Sequence, residues 1–191
     1  MSIPTDRECI EYLIDAGCKK RVIIHCCTVR AVADEMLTKI DADKDLVVAG
    51  ALLHDIGRAK DHTIFHAYIG SQMVREYGLP EQLVEIVRKH TGAGLDKEDV
   101  EEMGLPPGDY IPRTIEEKIV AHADNLVSDN RVVDHNHSVS KLINKGAFRG
   151  ADRVEMLHME LSDLYGKDLD VLPKRIGEYP KLKVIDEFDL E

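Results

Sequence analysis

The feature that most constrains this chain is the placement of histidine and aspartate on the apolar faces of its predicted helices. His25 shares such a face with Val29, and His54 and Asp55 end the most hydrophobic segment, residues 44–53. A polar or charged side chain in the core destabilises a fold unless it is hydrogen-bonded, paired or bound to a metal. The fold must therefore bring partners to these side chains in its interior.

Three further residues have the same placement. His66 lies on one apolar stripe with Ile69. His90 lies on another with Val87, and Asp124 lies within a third apolar stretch. A single histidine on such a stripe is more often a hydrogen-bonded core residue than a ligand. Six placements on five helices are difficult to explain as independent accidents, so together they predict a common metal-binding interior.

Helical periodicity runs through almost the whole chain and predicts an all-α fold. Helices are predicted over residues 6–16, 20–40, 44–53, 65–77, 81–90, 114–127, 139–145, 151–164 and 170–176. Thr114 and Glu117 form a capping box at the start of one of them. Gly57, after the third helix, is expected to let the chain turn.

The remaining segments predict loops and a division of the chain. Residues 96–112 are acidic and rich in proline and glycine, which indicates a loop with one short helical turn. Residues 129–138 are polar and indicate a boundary, in which Asp134 to His137 are expected to be solvated. The tail, 181–191, lacks helical periodicity and predicts a short strand or a loosely held segment. We expect an N-terminal helix in 1–17, a metal-binding domain in 18–130 and a C-terminal helical extension in 131–191.

Composition supports a helical protein with an aliphatic core. The chain has 191 residues, of which only 5% are aromatic, and it contains no tryptophan. Its formal charge of −11 argues against a broad nucleic-acid surface or an acidic-membrane surface, since phosphate groups are met by basic patches. A small anionic substrate is still compatible with this charge, because one local pocket can oppose the overall sign.

Neither a secretion signal nor a membrane span is predicted. The first residues carry charges and have no apolar core of a signal peptide. The longest nearly apolar stretch, residues 46–53, is too short to cross a bilayer. The four cysteines lack the spacing of a disulfide framework or a zinc ribbon. These features predict reduced cysteines and a cytoplasmic protein.

The order of the candidate ligands resembles a known family. His25, then His54-Asp55, then Asp124 resembles the H…HD…D signature of the HD superfamily of metal-dependent phosphohydrolases, and LLHDIGR resembles its HDIG variant. The strings FHAYIGSQMVREYGLP, IVRKHTG and TIEEKIVAHADNLV look most like HD-type diadenosine tetraphosphate hydrolases of bacteria and their uncharacterised archaeal relatives. The resemblance covers about residues 20–127 and implies an HD-domain helical core.

The resemblance also implies a ligand set for two metal ions. By it, one ion is held by His25, His54, Asp55 and Asp124, and Asp55 bridges to a second ion held by His66 and His90. Imidazole ligands suit first-row transition ions, so iron or manganese is expected first, with magnesium, cobalt, nickel or zinc left open. Two such ions lying about 3.5–4 Å apart can acidify a water and neutralise a phosphoryl oxygen.

Two residues near the HDIG turn are candidates for contact with the substrate. Arg58 follows the turn directly, and by the resemblance it contacts a substrate phosphate, a role that suits a guanidinium. His62 lies four residues before His66 and could face the same pocket as a proton donor if that helix begins early. With Asp55, these two form the expected catalytic group.

The expected function is hydrolysis of a nucleotide-type phosphoester or phosphoanhydride. A dinucleoside tetraphosphate is the first substrate to consider, and a mononucleotide, a cyclic nucleotide or an RNA end is the next. Two other classes stay open: a diiron oxygenase of HD type, and an inactive HD regulatory or binding module. Neither the oligomeric state nor the role of the extension follows from the residues.

Overall fold

Ten α-helices and one short hairpin make up the part of the chain that the computed structural model describes, residues 2–176, 182–188 and 190. The helices are α1 (Asp6–Asp15), α2 (Lys20–Met36), α3 (Lys44–Leu53), α4 (His66–Glu76), α5 (Glu81–Lys89), α6 (Lys97–Glu102), α7 (Ile115–Asn125), α8 (His135–Asn144), α9 (Phe148–Tyr165) and α10 (Leu172–Ile176). Strands β1 (Val127–Ser128) and β2 (Arg131–Val132) form the hairpin. Three short 3₁₀ helices cover Ile56–Ala59, Leu169–Val171 and Lys183–Glu187. The all-α prediction is confirmed.

Local signals account for where several helices begin. The predicted capping box at α7 is present: the Glu117 N–H donates to Thr114 Oγ1 at 3.2 Å, and the Thr114 N–H donates to Glu117 Oε2 at 3.3 Å. Asp43 caps α3 in a similar way, since its side chain accepts a hydrogen bond from the Leu46 N–H. Such caps satisfy backbone donors that have no partner within the helix.

Helix α3 lies at the centre of the helical core. From Leu46 to Leu53 all of its residues are buried, and it packs against α1, α2, α5 and α7. A Cβ at Gly50 would lie 2.8 Å from Ile86 Cγ2, so α3 and α5 approach each other closely. This central position means that residues at the end of α3 lie deep in the fold.

The C-terminal extension packs on this core. Helices α8 and α9 pack against each other, and α9 also packs against α7. Val154 and Leu161 of α9 are fully buried, and the Tyr165 hydroxyl donates to Glu35 Oε1 at 2.8 Å. The extension is therefore joined to the core by both apolar packing and hydrogen bonds.

The polar segment 129–138 contains regular structure that was not predicted. The hairpin pairs Val127 with Val132, and α8 begins at His135, four residues earlier than predicted. Asp134 is the N-cap of α8, because its side chain accepts from the His137 N–H at 3.2 Å. The polar residues that suggested a loop therefore serve as a helix start, a position that favours aspartate.

The end of the chain also differs from the prediction. The helix predicted over 170–176 is a 3₁₀ turn followed by α10. Within the predicted strand or loose tail, 183–187 form a 3₁₀ helix, and residues 181, 189 and 191 lie outside the described residues. Among the described residues, no helix combines the length and the apolar character that crossing a bilayer requires.

Candidate metal centre

Five segments bring the six predicted ligands together. The ligands are His25 in α2, His54 and Asp55 at the end of α3, His66 at the start of α4, His90 at the end of α5 and Asp124 in α7. Four of them lie at helix ends, where the chain can direct a side chain inward without interrupting the helical packing. Asp124 remains one quarter exposed, so the cluster opens toward solvent on its side.

One half of the cluster is centred on Asp124. Its Oδ1 lies 2.9 Å from His25 Nε2 and 3.6 Å from His54 Nε2. Asp55 Oδ2 faces the same two rings, at 3.7 Å from His25 Nε2 and 3.8 Å from His54 Nε2. These two imidazoles and two carboxylates are the four residues expected to hold one ion.

The other half is centred on Asp55. Its second oxygen, Oδ1, lies 3.2 Å from His66 Nε2 and 3.5 Å from His90 Nε2. The two Nε2 atoms of His66 and His90 are 3.1 Å apart. The two oxygens of Asp55 therefore face different pairs of histidines, which is the arrangement that a bridging carboxylate requires.

The four histidines share one orientation. In each, Nδ1 lies beside a backbone carbonyl and Nε2 points into the cluster. The pairs are His25 with Asp129 at 2.6 Å, His54 with Ala51 at 2.7 Å, His66 with Thr63 at 2.6 Å and His90 with Val87 at 2.7 Å. A ring that donates from Nδ1 to a carbonyl leaves the lone pair of Nε2 free, as in histidines that bind metals.

Two buried atoms at the centre of the cluster show that a metal fits these residues. His54 Nε2 and Asp55 Oδ1 are both shielded from solvent, and neither makes a hydrogen bond to any residue that the structure describes. An unsatisfied buried polar atom costs about 1–3 kcal/mol. Because both atoms face other ligand atoms, cations in the cluster would satisfy them, and imidazole with carboxylate suits transition ions.

The electrostatics of the cluster favour bound positive charge. Burial raises the pKa of the Asp55 carboxyl, but the charge of His54 and the close approach of His66 and His90 outweigh burial and hold the pKa well below its usual range. For His25 burial acts in the opposite direction and lowers the pKa, but the hydrogen bond to Asp124 and the charges of Asp124 and Asp55 raise it to about 9. Burial lowers the pKa of His90. The carboxylates therefore stay ionised, and His25 holds a proton near neutral pH that a metal ion would replace.

Three of the six predicted ligands, His25, Asp55 and Asp124, line an open cavity of about 610 Å³. Arg58 lines this cavity, and its Nε donates to Asp55 Oδ2 at 2.5 Å. His62 also lines it, although α4 begins only at His66, so the condition for placing His62 on that helix is not met. The exposed loop before α4 brings His62 to the cavity wall instead.

Sequence reasoning did not find the other cations of the cavity. Lys19 and Arg21 at the start of α2, with Lys141 and Lys145 at the end of α8, join Arg58 in lining it. Arg21 is paired with Asp129 at 2.7 Å, and Lys141 donates to Ser128 Oγ at 3.3 Å. We call Lys19, Arg21, Lys141 and Lys145 the basic rim. The sequence signal that could have identified Lys141 and Lys145 is their spacing of four residues, since it places both on one face of a helix.

The histidines outside the centre have other surroundings. His122 is fully buried, and its Nε2 lies 3.0 Å from His158 Nδ1. His135 is not solvated, which corrects the prediction: only 12% of its side chain is exposed, and it contacts Asp170 and Glu155. The folding of α8 against α9 removes this histidine from solvent.

Comparison of the sequence with known proteins identifies a family. The profile described as HD domain matches residues 22–129, which is more than half of the chain. A tRNA (cytidine(56)-2'-O)-methyltransferase of Picrophilus torridus is 44% identical over 172 residues, which cover 90% of this chain and 50% of that protein. Ribonuclease Y of Acidothermus cellulolyticus is 29% identical over 145 residues, which cover 71% of this chain and 26% of that enzyme. The chain thus spans about half the length of the methyltransferase it matches.

Solved structures share the fold. The HD domain of the L. monocytogenes phosphodiesterase PgpH matches with a TM-score of 0.58 and 16% identity, covering 88% of this chain and 99% of that domain. The same domain in complex with cyclic-di-AMP matches with a TM-score of 0.52 and 16% identity, covering 84% of this chain and 98% of that domain. At this identity the likeness establishes the helical architecture.

Proposed function

The chain belongs to the HD domain family, and on that premise we propose that it is a metal-dependent phosphohydrolase of nucleotide-type phosphoesters or phosphoanhydrides. The observation that carries the proposal is the pair of unsatisfied buried atoms, His54 Nε2 and Asp55 Oδ1, at the centre of the cluster. Asp55 also lines an open cavity together with five cationic side chains. A cluster built only for stability would satisfy these atoms within the protein.

The six ligands would hold two divalent ions, with Asp55 shared between them. When bound, such a pair supplies the Lewis acidity that makes water nucleophilic near neutral pH and neutralises charge on a phosphoryl oxygen. Iron and manganese are the ions that we propose first, because four of the six ligands are imidazoles.

The domain limits at 18–130 and 131–191 remain proposals drawn from the sequence. The cavity is lined by residues from both sides of this boundary.

The roles of the remaining cavity residues follow from charge and position. In this structure Arg58 donates to Asp55 Oδ2, an oxygen that a metal ion would take. We propose that Arg58 then turns to a substrate phosphate, where the planar guanidinium can donate two parallel hydrogen bonds. His62 is exposed at the cavity wall, and we propose that it gives a proton to a leaving oxygen.

The cavity suits a substrate larger than one phosphate group. Its volume of about 610 Å³ lies within the range for small-molecule sites, about 300–1,000 Å³. The basic rim continues the positive charge outward from Arg58, although the chain as a whole carries −11. A second phosphate or a short polynucleotide end would meet this rim.

Two substrates of this class are proposed for the first test. A dinucleoside tetraphosphate fits the local motifs and the cavity size. An RNA end is favoured by the basic rim and by the similar proteins, whose names refer to tRNA and to a ribonuclease. The name of the structural neighbour refers to a cyclic dinucleotide, which adds cyclic-di-AMP as a third compound.

The test is an anaerobic hydrolysis assay of the full chain loaded with Mn²⁺ or Fe²⁺. The compounds are bis(p-nitrophenyl) phosphate, diadenosine tetraphosphate, cyclic-di-AMP and short RNAs with defined end groups. Asp55→Asn should abolish turnover, and Arg58→Ala should lower kcat/KM about tenfold or more, because a hydrogen bond to a charged group contributes about 1.5–3 kcal/mol. Lys60→Ala, an exposed change just beyond Arg58, is the matched control.

Turnover without oxygen separates hydrolysis from the diiron oxygenase class. If every phosphate compound is inert while an iron-loaded sample consumes oxygen in the presence of an organic substrate, the proposed reaction is wrong. If metal binds with no turnover of any compound, the chain is a binding module instead.

A further inference from the structure

A second group of imidazoles and carboxylates lies in the extension, beyond the residues that match the HD domain. His135 begins α8, His158 lies in α9 and Asp170 lies in the 3₁₀ turn 169–171. We propose that these three residues, with Asp168, form a separate binding site for a divalent transition-metal ion of the zinc class. This inference is independent of the reaction at the HD centre.

The distances between the donor atoms fit a shared ion. Asp170 Oδ2 lies 2.9 Å from His135 Nδ1, and Asp170 Oδ1 lies 4.0 Å from His158 Nε2. Asp168 Oδ1 lies 3.2 Å from the same His158 Nε2. One ligand atom each from His135, His158 and Asp170 lie within 4.8 Å of one another. Two imidazole nitrogens and two carboxylate oxygens make a donor set that zinc binds in four-coordinate sites.

The second nitrogen of each imidazole is also held. His135 Nε2 lies 3.1 Å from Glu155 Oε2, and His158 Nδ1 lies 3.0 Å from His122 Nε2. Each ring therefore has one nitrogen fixed by a neighbour and the other directed at the carboxylates of the 3₁₀ turn. Histidines that bind metals have this arrangement, because the outer hydrogen bond fixes the tautomer and the ring orientation. The four histidines of the HD centre show the same division of roles.

The cluster is shielded on one side and open on the other. His158 is buried, and the side chains of His135 and Asp170 are 12% and 24% exposed, whereas that of Asp168 is 68% exposed. A cavity of about 410 Å³ reaches His158 and Asp168 from the surface. An ion could enter from this side and bind the exposed carboxylate first.

The carboxylates around His135 and His158 carry more negative charge than protonation of these two rings can neutralise favourably. The His135 and His158 rings are stacked, with centroids 3.7 Å apart and planes 16° apart. Protonation of both rings would place two like charges face to face. One protonated ring would supply a single positive charge against three carboxylates, those of Glu155, Asp168 and Asp170. A divalent ion supplies two charges and accepts a lone pair from each ring, which requires the two rings to open from their stacked arrangement so that both nitrogens turn toward it.

Such an ion would also stabilise the helix that lines part of the cavity of the HD centre. It would join the start of α8 to α9 and to the 3₁₀ turn that follows. Helix α8 is the helix that carries Lys141 of the basic rim and ends beside Lys145. Binding at the second site would therefore hold the extension in the position that completes the rim.

The test counts metal ions in the full chain. Wild-type protein is stripped with a chelator, dialysed, loaded with Zn²⁺ and measured by elemental analysis and calorimetry. The double variant His135→Ala/His158→Ala should bind one ion fewer than wild type. His137→Ala, an exposed histidine two residues along the same helix, should bind the same number as wild type. Glu155→Gln should keep the ion with an affinity about 10–100-fold weaker, the usual effect of losing an outer hydrogen-bond partner.

A second variant protects the test against misfolding. Asp170→Asn keeps the size of the side chain and removes its charge, and circular dichroism verifies that it is folded. Loss of one ion in Asp170→Asn supports the site. Cobalt substitution gives an independent signature, since a tetrahedral site shows intense visible absorption that Asp170→Asn should remove. Equal ion counts and equal cobalt spectra in wild type, Asp170→Asn and the double variant would overturn the proposal.

Discussion

Gly57 and His66 touch through their backbones: a Cβ built on Gly57 would lie 2.0 Å from the His66 carbonyl oxygen. It would also lie 2.6 Å from the Gly70 backbone nitrogen, further along α4. Gly57 does not belong to the glycines with positive φ, so its expected role in turning the chain is not the reason for the residue. Glycine is required because the HDIG turn packs directly on the helix that carries His66, a proposed ligand.

Gly57→Ala should therefore damage both stability and metal binding. Overpacking of this kind costs about 1–3 kcal/mol, and each kcal/mol lowers the Tm of a chain of this size by about 2–4 °C. The displacement of His66 should also weaken the second ion. Gly150→Ala in α9 is the matched control, because its Cβ would meet only ordinary contacts at 3.7 Å or more, with Leu142 and Ala147. Thermal unfolding with and without Mn²⁺ measures both effects, and equal Tm values for Gly57→Ala and wild type would contradict the steric explanation.

The two halves of the HD centre should be separable by mutation. His66→Ala combined with His90→Ala should leave one ion fewer than wild type, because both of these ligands face the same oxygen of Asp55. Asp55→Ala should impair both positions, since its two oxygens face different histidine pairs. Elemental analysis after loading with Mn²⁺ decides the count. A double variant that keeps every ion of the wild type would show that only one position exists.

The basic rim should act on long substrates and not on small ones. Lys141→Glu combined with Lys145→Glu should lower kcat/KM for a short RNA by about tenfold or more at low salt, and the loss should shrink as salt rises because exposed charges are screened. Turnover of bis(p-nitrophenyl) phosphate should change little, since this compound reaches only the floor of the cavity. Lys97→Glu, a charge change in α6 outside the cavity, serves as the control. Equal losses for the two substrates would mean that the variant disturbs the centre itself.

As the pH rises, metal affinity should increase, whereas the stability of the metal-free protein should decrease. His25 holds a proton up to about pH 9 in the metal-free protein, so an ion must displace that proton. Affinity should therefore rise with pH, by up to about tenfold per unit for the release of one proton. A histidine whose pKa is raised by folding stabilises the folded protein fully at pH values below its unfolded pKa of about 6.5. This stabilisation is lost as the pH rises to about 9, the pKa of His25 in the folded protein. The free energy of unfolding without metal should thus fall over the same range.

Calorimetric metal titration and urea unfolding at pH 6.5, 7.5 and 8.5 measure the two trends. His25→Gln should flatten the unfolding trend, because this variant has no group at that position to titrate between these pH values. The difference in the free energy of unfolding between wild type and His25→Gln at each pH gives the contribution of this histidine separately from those of other titrating groups. A metal affinity that does not change with pH would show that no proton leaves when the ion binds.

The local pattern of the chain was sufficient for much of the fold. Apolar periodicity placed α3 at its observed bounds, and the capping box at Thr114 marked the start of α7. Both signals involve residues within a few positions of one another, so they can be read without the tertiary structure. The start of α8 was predicted four residues too late for a related reason: aspartate is common both in loops and at the N-cap of a helix, and Asp134 has the second role.

The pattern of residues was enough to predict the six candidate ligands, because histidine and aspartate on core-facing stripes need partners wherever the helices pack. How these candidates divide into two groups depends on the fold, since the packing of α3 against its neighbours turns the two oxygens of Asp55 toward separate histidine pairs. The fold also decided that Lys141 reaches the cavity and that His135 meets His158 and Asp170. These residues lie far apart in the chain, and the packing of helices across such separations is set by the whole core and not by any local pattern.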